Sequence, residues 1–229
     1  MIKNCVVLCT IVIITACGGK TKKAKNEYFE GFVESSIDIH TGSNASDSLL
    51  YMKFGKYVTT YIKDSFIARV YSNENKVIVG REIIRIDSLK FYQVNPSSDT
   101  IAVTDLTNDY YFSNLSMKEI EGKKVLGKSC LGVLMVNKIQ QHLLSDPFTS
   151  NTTYYFDTSF RLSPALNRKV QFGSYNKVFG KYPFLTMAFS QEFEGVTIAM
   201  TAKRVVQNEV DKIMFEIPKG KVMVNPFLR

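Results

Sequence analysis

Hydrophobic and polar residues alternate along most of this chain beyond residue 27. In the segment 29–40 the odd positions include Val33 and Ile37, whereas the even positions include Glu34 and Asp38. A period of two places successive side chains on opposite faces of an extended chain. The pattern therefore predicts a β-strand with one buried face and one polar face.

The same alternation recurs in short segments as far as the C-terminal region. The further predicted strands are 57–62, 66–72, 76–80, 83–87, 90–94, 100–104, 131–136, 154–161, 185–189, 196–202 and 213–217. Turn residues separate many of them, and no helical period is interleaved. Such spacing favours an antiparallel sheet over alternating strands and helices. We predict a mainly β fold.

A few segments carry other signals. Gly55-Lys56 lies between the apolar segments 49–54 and 57–62, which predicts a hairpin of two strands. Ser163-Pro164 is typical of a helix start, and the apolar positions continue on one face toward Gly180. Short helices are also considered for 105–113 and 136–144.

The N-terminal residues have the pattern of an export signal. Lys3 precedes an apolar run over 5–14, which is shorter than the about 20 residues of a spanning helix. The run ends in Ile14-Thr15-Ala16-Cys17, which resembles the lipobox of bacterial lipoproteins. The resemblance implies that residues 1–16 are a signal peptide and that Cys17 is lipidated. The alternative is an ordinary signal peptide in which Cys17 is incidental.

Composition and cysteine content limit which kinds of structure the rest of the chain can adopt. Of 229 residues, 45% are hydrophobic and 22% charged, which is typical of a globular protein and excludes disorder and coiled coil. With residues 1–16 removed and Cys17 lipidated, Cys130 has no partner for a disulfide. We predict a flexible lysine-rich tether over 17–26 and a single domain over 27–229, held together by its core.

The basic character of the chain is concentrated near its start. The formal net charge of +8 falls to +7 without Lys3, and four lysines in the segment 17–26 leave about +3 on the folded part. A nucleic-acid site needs basic residues interleaved with aromatic ones on one face. We therefore expect no nucleic-acid partner, and a tether that lies against lipid headgroups.

One segment matches a nucleotide-binding motif. Residues 122–129 read GKKVLGKS, which fits the phosphate-loop pattern of two glycines, a lysine and a hydroxyl. That loop needs a buried parallel strand before it and a helix after it. The charged segment 117–121 does not fit a central strand, and 131–136 predicts another strand. We expect a lysine-rich hairpin and no nucleotide.

Catalytic and metal-binding signals are weak. His40 and His142 are the histidines of the chain, and neither lies in a metal-ligand spacing. No G-x-S-x-G motif presents a serine, and Cys130 is predicted to be a buried strand residue. Carboxylates such as Asp157, Glu192 and Glu194 have no spacing that fixes a glycosidase pair. We predict a protein that is not an enzyme and has no cofactor or metal.

Six segments, in their order along the chain, resemble the lipoprotein-carrier and receptor family of exported bacterial proteins. They are 29–33 (FEGFV), 52–57 (MKFGKY), 90–96 (KFYQVNP), 123–130 (KKVLGKSC), 182–184 (YPF) and 215–220 (FEIPKG). The resemblance implies a curved antiparallel sheet of about eleven strands, an unclosed half-barrel with a few helices over its concave side. Many such relatives have no known role, so fold transfers better than function.

The resemblance also implies a function. A half-barrel only partly filled by short helices leaves an apolar cavity that takes acyl chains such as palmitate. The hypothesis is a membrane-tethered periplasmic protein that shelters a lipid, an acyl chain or another hydrophobic ligand. The alternative is an envelope-assembly protein that has a filled core and binds a protein partner. Gly18 after the lipidated cysteine suggests the outer membrane, on its periplasmic face.

The candidate lining comes from the apolar strand faces, whose residues serve equally well as core. These residues are Val33, Ile37, Tyr57, Ile84, Phe91, Met135, Phe189 and Met200. Arg69, Arg81 and Arg85 are considered for contact with a headgroup, although solvated arginines are the more common outcome.

Overall fold

The computed structural model describes residues 27–42, 44–107, 112–140, 146–166 and 170–225. In these residues the chain forms twelve strands and two α-helices. The strands are β1 Gly31–His40, β2 Tyr57–Lys63, β3 Phe66–Ser72, β4 Ile78–Arg85, β5 Lys90–Val94, β6 Thr100–Asp105, β7 Phe112–Val125, β8 Lys128–Ile139, β9 Phe148–Arg161, β10 Phe184–Phe193, β11 Val196–Gln207 and β12 Val222–Val224. The helices are α1 Asn44–Phe54 and α2 Tyr175–Lys181, with 3-10 turns at Pro164–Leu166, Phe172–Ser174 and Lys212–Phe215.

All twelve strands belong to one sheet, in the order β12-β6-β5-β4-β3-β2-β1-β11-β10-β9-β8-β7. β1 lies in the interior of the sheet, paired with β2 on one side and β11 on the other. Neighbouring strands are antiparallel except β12, which runs parallel to β6. No pairing joins the edge strands β7 and β12, so the sheet stays open. The predicted fold class, an unclosed antiparallel sheet, is confirmed.

The sheet curves strongly toward one face, here called the inner face. β3 and β9 are five strand spacings apart, which is about 24 Å along a flat sheet. Ile67 of β3 and Phe156 of β9 nevertheless belong to the same buried cluster. Arg69 of β3 also acts on the pKa of Tyr154 on β9, so the sheet must bend until these distant strands approach each other across the inner face.

Two separate elements cover the inner face. α1 packs through Leu50, Tyr51 and Phe54 against a cluster that contains Ile37 and Val58. Residues 162–166 and 170–184, here called the cover segment, pack over the other end of the strands. The buried cluster there includes these side chains of the cover segment: Leu162, Val170, Val178, Phe179 and Tyr182.

The segment 49–54 is helical, and the prediction of a strand there is wrong. Leu50 and Phe54 are four residues apart and share one side of a helix with Tyr51, so the same apolar residues fit either period. The Ile39 N–H donates to the Tyr51 hydroxyl over 2.9 Å, which ties the helix to β1. Gly55 then turns the chain at φ 70°, where a Cβ atom would lie 2.4 Å from the Ser72 carbonyl oxygen.

The helix predicted from Ser163-Pro164 to Gly180 is interrupted. A 3-10 turn at Pro164–Leu166 and another at Phe172–Ser174 precede the seven residues of α2. Gly173 and Ser174 have φ values of 66° and 59°, and these left-handed residues stop a continuous helix. The helices considered for 105–113 and 136–144 are also wrong where described, because β6 ends at Asp105, β7 begins at Phe112 and β8 continues to Ile139.

The outer face of β2 to β6 is covered by the C-terminal region, here called the strap (residues 208–221). Val210 and Phe215 of the strap pack against Ala68, and Ile217 packs against a cluster that contains Ile83 and Ile101. The Asp211 carboxylate accepts from the Ile213 N–H over 3.0 Å and begins the 3-10 turn Lys212–Phe215, so the strand predicted for 213–217 is wrong. The strap leads into β12, which extends the sheet beyond β6.

Candidate binding groove

A row of half-buried side chains crosses the inner face between α1 and the cover segment. The row, here called the inner groove, consists of Glu82, Arg69, Thr60, Ser35, Met200, Phe189 and Tyr154. Each lies on a different strand, from β4 through β3, β2, β1, β11 and β10 to β9. All seven are neither sealed from solvent nor fully exposed. These residues form a partly exposed strip between the two covers, with Met200 bordering the cluster under α1 and Tyr154 packing on Phe179 of the cover segment.

Strand register produces the two ends of this row, whereas Ser35 in the middle is opposite Val58 and Ala202. Arg69 pairs with Thr60 on one side and with Glu82 on the other, and Thr60 pairs with Val33. On the opposite half, Phe189 pairs with Met200 and with Tyr154. Directly opposed residues of neighbouring strands point to the same face. Because one end of each strand lies under α1 and the other under the cover segment, these mid-strand positions remain between the two.

An ion pair occupies one end of the inner groove. Arg69 Nη1 donates to Glu82 Oε2 over 3.2 Å, and the Tyr71 hydroxyl donates to the same oxygen over 2.9 Å. The Arg69 side chain is 33% exposed, whereas that of Glu82 is 15% exposed. Burial disfavours the charged guanidinium, but Tyr71 and Glu82 outweigh it and keep the pKa of Arg69 above its usual value. Arg69 thus stays charged inside the curved sheet.

Two tyrosines bring further polar atoms to the inner side. The Tyr175 ring stacks on Phe179 at 4.1 Å, and the Tyr154 ring meets Phe179 edge-on at 5.8 Å. Burial raises the pKa of Tyr175 to about 12, against a small opposing effect of Arg69. Burial also raises the pKa of Tyr154, with Tyr175 adding to it and Arg69 opposing it. Both hydroxyls therefore stay protonated near neutral pH, and the charge of Arg69 reaches both.

Neither of these two hydroxyls has a hydrogen-bond partner among the residues that the structure describes. Tyr71, by contrast, uses its hydroxyl on Glu82. Tyr154 and Tyr175 are half-buried as whole residues. Together with the open side of Arg69, they form a set of hydrogen-bond donors facing the groove.

The structure places seven of the eight proposed lining residues on the inner face. Met135 is 2% exposed and Val33 is 4% exposed, both in the cluster beneath the cover segment. Ile37 lies under α1, while Ile84 and Phe91 are half-buried beside the cluster beneath the cover segment. Two residues, Phe189 and Met200, line the inner groove itself.

Tyr57 is the exception among the proposed lining residues. It pairs with Ser36 and Ser72, one position out of phase with Val58, which is buried under α1. Its side chain lies on the outer face, 37% exposed, with Lys76 Nζ 4.0 Å from the ring centroid. Because a strand alternates its faces, a one-residue error in the assumed start reverses the assignment.

Of the three arginines considered for a headgroup, only Arg69 reaches the inner face. Arg81 lies on the outer face and donates to the backbone carbonyl oxygens of Ile213 and Met214 in the strap. Arg85 also lies on the outer face, where its Nη2 is 2.5 Å from Asp87 Oδ2. Both are used by local structure, whereas Arg69 remains partly open to the groove.

The segment that matches a phosphate loop is the turn of an antiparallel hairpin, as predicted. β7 and β8 pair from Phe112 opposite Ile139 to Val125 opposite Lys128. Leu126 and Gly127 make the turn with φ values of 51° and 75°. Lys128 Nζ bonds to Asp157 Oδ2 over 2.7 Å. A strand follows the lysine where phosphate binding needs a helix N-terminus.

The other candidates for chemistry do not converge on a site. Cys130 is 4% exposed, and burial followed by the charge of Asp157 raises the pKa of its thiol. His40 is exposed at the end of β1, and His142 lies outside the described residues. Glu192 and Glu194 lie beside the β10–β11 turn. Within the described ranges no three of the His, Cys, Asp and Glu side chains group as metal ligands.

Two further recesses lie away from the inner groove. One of about 200 Å³ is lined by residues such as Tyr28, Arg161 and Pro183 at the margin of the cover segment. The other, about 450 Å³ and open, lies between α1 and the β3–β4 turn beside Met52 and Glu74. Neither contains a residue of the inner groove.

No helix among the described residues is long and apolar enough to cross a membrane.

Sequence reasoning missed Glu82, Tyr154 and Tyr175. One signal was present: Arg69 stands between Ile67 and Tyr71 on the apolar face of its predicted strand. A charged residue at such a position requires a partner. The sequence does not reveal that this partner comes from β4, or that α2 brings Tyr175 to the same place.

Comparison with known proteins adds little to this geometry. No family model and no curated protein matches the chain. Among solved structures, the chain is similar to an uncharacterized conserved protein from Thermus thermophilus, with a TM-score of 0.43 and 5% identity over 86% of this chain and 91% of that chain.

Proposed function

We propose that this protein is a non-enzymatic, membrane-tethered binding protein that shelters an acyl chain in the inner groove. The observation that carries the proposal is the groove itself. Phe189 and Met200 point to the inner face of a curved sheet yet remain half-buried, although Met200 borders the cluster under α1 and Phe189 packs edge-on against Tyr154. An acyl chain laid across them removes apolar surface from water.

The groove suits a chain better than a compact polar ligand. Its floor changes from Met200 and Phe189 at one end to Arg69 and Glu82 at the other. Each methylene that enters an apolar site contributes about 0.8 kcal/mol, so a few buried methylenes add substantially to affinity. Ile84 and Phe91, half-buried beside the same cluster, extend the apolar wall.

The tether forms part of the same proposal. Cys17 and the lysines that follow it lie outside the described residues, so their role comes from the sequence. A lipidated Cys17 would hold the domain at the outer membrane, facing the periplasm, with its substrate lipids at close range. Two or more acyl chains give a stable anchor, whereas one gives marginal binding.

The test is lipid analysis of the protein purified from native membranes. We expect mass spectrometry to detect a co-purifying acyl lipid in stoichiometric amount. Met200→Trp fills the groove and should reduce that lipid severalfold. Ala199→Trp is the matched control, since Ala199 is half-buried on the outer face of the same strand and pairs with Asp38 and Ser190. Absence of lipid from the unaltered protein after gentle extraction would count against acyl-chain binding.

A second candidate function has its own support. α1 presents Leu49, 62% exposed, and Met52, 67% exposed, to solvent beside an open recess. Exposed apolar side chains that lie close together are typical of a surface for protein partners. On this hypothesis the protein is an envelope-assembly lipoprotein and carries no small ligand.

The two candidates give different results in the same cells. A partner that binds α1 should be lost from in vivo crosslinks when Leu49 and Met52 are changed to serine, with bound lipid unchanged. Leu126→Ser is the matched control, because Leu126 is 49% exposed at the remote β7–β8 turn. Loss of lipid in Met200→Trp with intact crosslinks favours the acyl-binding function.

A further inference from the structure

We infer that the inner groove selects an amphiphile with an oxyanion head group, a carboxylate or a phosphate, and that Arg69, Tyr154 and Tyr175 bind that head. This inference rests on the proposed function and specifies its ligand class. The apolar part of the ligand would lie over Phe189 and Met200, and the head would lie where the curvature of the sheet brings Arg69 of β3 toward Tyr154 of β9 and Tyr175 of α2.

The three residues proposed to bind the head group are rich in hydrogen-bond donors. A guanidinium has five N–H donors, and the described structure gives one hydrogen bond from Arg69 Nη1 to Glu82. The hydroxyls of Tyr154 and Tyr175 add two donors that no described residue uses. One oxygen of the Glu82 carboxylate, Oε2, already accepts from Arg69 and Tyr71. A ligand that supplies acceptor oxygens completes this set.

The Arg69–Glu82 pair is neutral as a whole, so a ligand oxyanion would be held by hydrogen bonds to the guanidinium edge that Glu82 leaves unused and not by net positive charge. A charged arginine inside a curved sheet is costly unless it is neutralised, and Glu82 supplies one negative charge on one edge of the guanidinium. The Tyr71 hydroxyl donates to Glu82 and reduces the repulsion that its carboxylate would exert on a second anion. A planar guanidinium can bind two oxyanions at different edges. A third of the Arg69 side chain remains exposed for this contact.

A purely structural role accounts less well for the same residues. An Arg–Glu pair that serves only packing gains by closing its hydrogen bonds and excluding water. Here a third of the Arg69 side chain stays exposed, although Tyr71, which bonds to Glu82, is buried under α1. Tyr154 and Tyr175 pack their rings on Phe179 while their hydroxyls remain unbonded to described residues. Phenylalanine would fill the ring positions equally well.

The experiment compares head groups on one chain length. The lipidated protein, purified in a mild detergent and freed of native lipid, is titrated with oleate, oleyl alcohol and oleoyl lysophosphatidate, and bound ligand is measured by native mass spectrometry. We expect oleate to bind about tenfold more tightly than oleyl alcohol, as charge-assisted hydrogen bonds predict. Oleate and lysophosphatidate distinguish a free fatty acid from a phospholipid source, and the tighter of the two identifies the head.

Variants test which residues produce the preference for oleate over oleyl alcohol. Arg69→Met with Glu82→Gln removes both charges together and should reduce the preference for oleate over oleyl alcohol to about one. The matched control is Arg85→Met with Asp87→Asn on the outer face, where the arginine side chain is also 33% exposed. The control should keep the preference. Tyr154→Phe and Tyr175→Phe each remove a single oxygen and should lower oleate affinity about fivefold, with oleyl alcohol less affected.

The outcomes separate this inference from the proposed function. If oleate and oleyl alcohol bind equally to the unaltered protein, or if the preference survives in the Arg69/Glu82 variant, the head-group inference is wrong while acyl-chain binding stands. If no oleyl ligand binds at all, the proposed function fails and the inference fails with it. Should the double variant not fold, the tyrosine variants still decide, since retained oleate affinity in both would overturn the inference.

Discussion

The two faces of β3 to β6 differ in how completely they are covered. On the outer face, Ala68, Ile83 and Ile101 are all 0% exposed beneath the strap. On the inner face of the same strands, Arg69 and Glu82 remain half-buried. In a sheet that curves inward, the concave face is commonly the sealed one. Here the strap seals the middle of the convex face of β3 to β6, whereas Arg69 and Glu82 stay partly exposed on the concave face beside the buried Ile67 and Tyr71.

The difference shows that one face of these strands contributes stability while the other face leaves room for a ligand. The strap crosses the outer face through a few buried anchors such as Phe215 and Ile217 and then joins the sheet as β12. The inner face is covered by two pieces that do not meet. The outer seal can therefore stabilise β3 to β6 while the inner groove stays open to a ligand.

Removing the main anchor of the strap should have the largest effect on this comparison. Phe215 is 5% exposed and packs on Phe66 with ring centroids 5.6 Å apart. Phe215→Ala should reduce the free energy of unfolding by about 3 to 5 kcal/mol in urea denaturation, because it loses buried area and leaves a cavity. Met223→Ala, at a position 58% exposed, should cost less than about 0.5 kcal/mol. Equal losses would show that the strap is not a seal.

Two neighbouring isoleucines compare the faces directly. Ile83 is fully buried on the outer face, and Ile84 is half-buried on the inner face. Ile83→Ala should cost about 2 to 4 kcal/mol and Ile84→Ala about half as much, measured by the same denaturation. The substitution removes the same atoms from adjacent positions of β4. A larger loss at Ile84 would mean that the inner face is the better packed one.

The inner ion pair should behave differently when one or both partners are removed. Arg69→Met leaves the Glu82 carboxylate, whose side chain is 15% exposed, without its cation, and should cost about 1 to 3 kcal/mol. Adding Glu82→Gln should recover part of that loss. Thermal unfolding of the single and double variants measures this recovery. No recovery would indicate that the loss in Arg69→Met does not come from the unpaired Glu82 carboxylate.

The smallest effect is expected from a pH-sensitive contact at Asp105, the last residue of β6. The Thr107 side chain and backbone N–H, followed by Lys90, lower the pKa of Asp105 to about 2. A carboxylate with a lowered folded pKa stabilises the protein above its unfolded value near 4. That contribution should be lost as pH falls from about 4 toward 2. Asp105→Asn should flatten the stability profile in this range, and an unchanged profile would contradict the assignment.

Much of the strand content could be predicted from alternation alone. The segments 66–72 and 90–94 match β3 and β5, and 100–104 matches all but the last residue of β6. Short apolar segments were ambiguous, because Leu50 and Phe54 satisfy a helical spacing as well as a strand. The broken cover segment was not predicted because its left-handed residues include Ser174, which has no glycine signal.

The candidate site was less predictable than the fold. Alternation assigned Phe189 and Met200 to an apolar face, but it could not show that these two residues lie in the partly exposed strip between the covers. It misplaced Tyr57, because the strand phase depended on where the strand was assumed to begin. Arg69 comes near Tyr175 because the sheet bends and because α2 packs over its inner face. Neither feature is a local property of the sequence.

The sequence by itself determined a mainly β fold, since period-two alternation is a local feature that any tertiary arrangement must satisfy. Only the tertiary structure decided which face is sealed and where the groove lies. Curvature, the route of the strap and the spacing of the two covers arise from contacts between residues far apart in the chain. For that reason one arginine among several becomes the charged centre of the inner face.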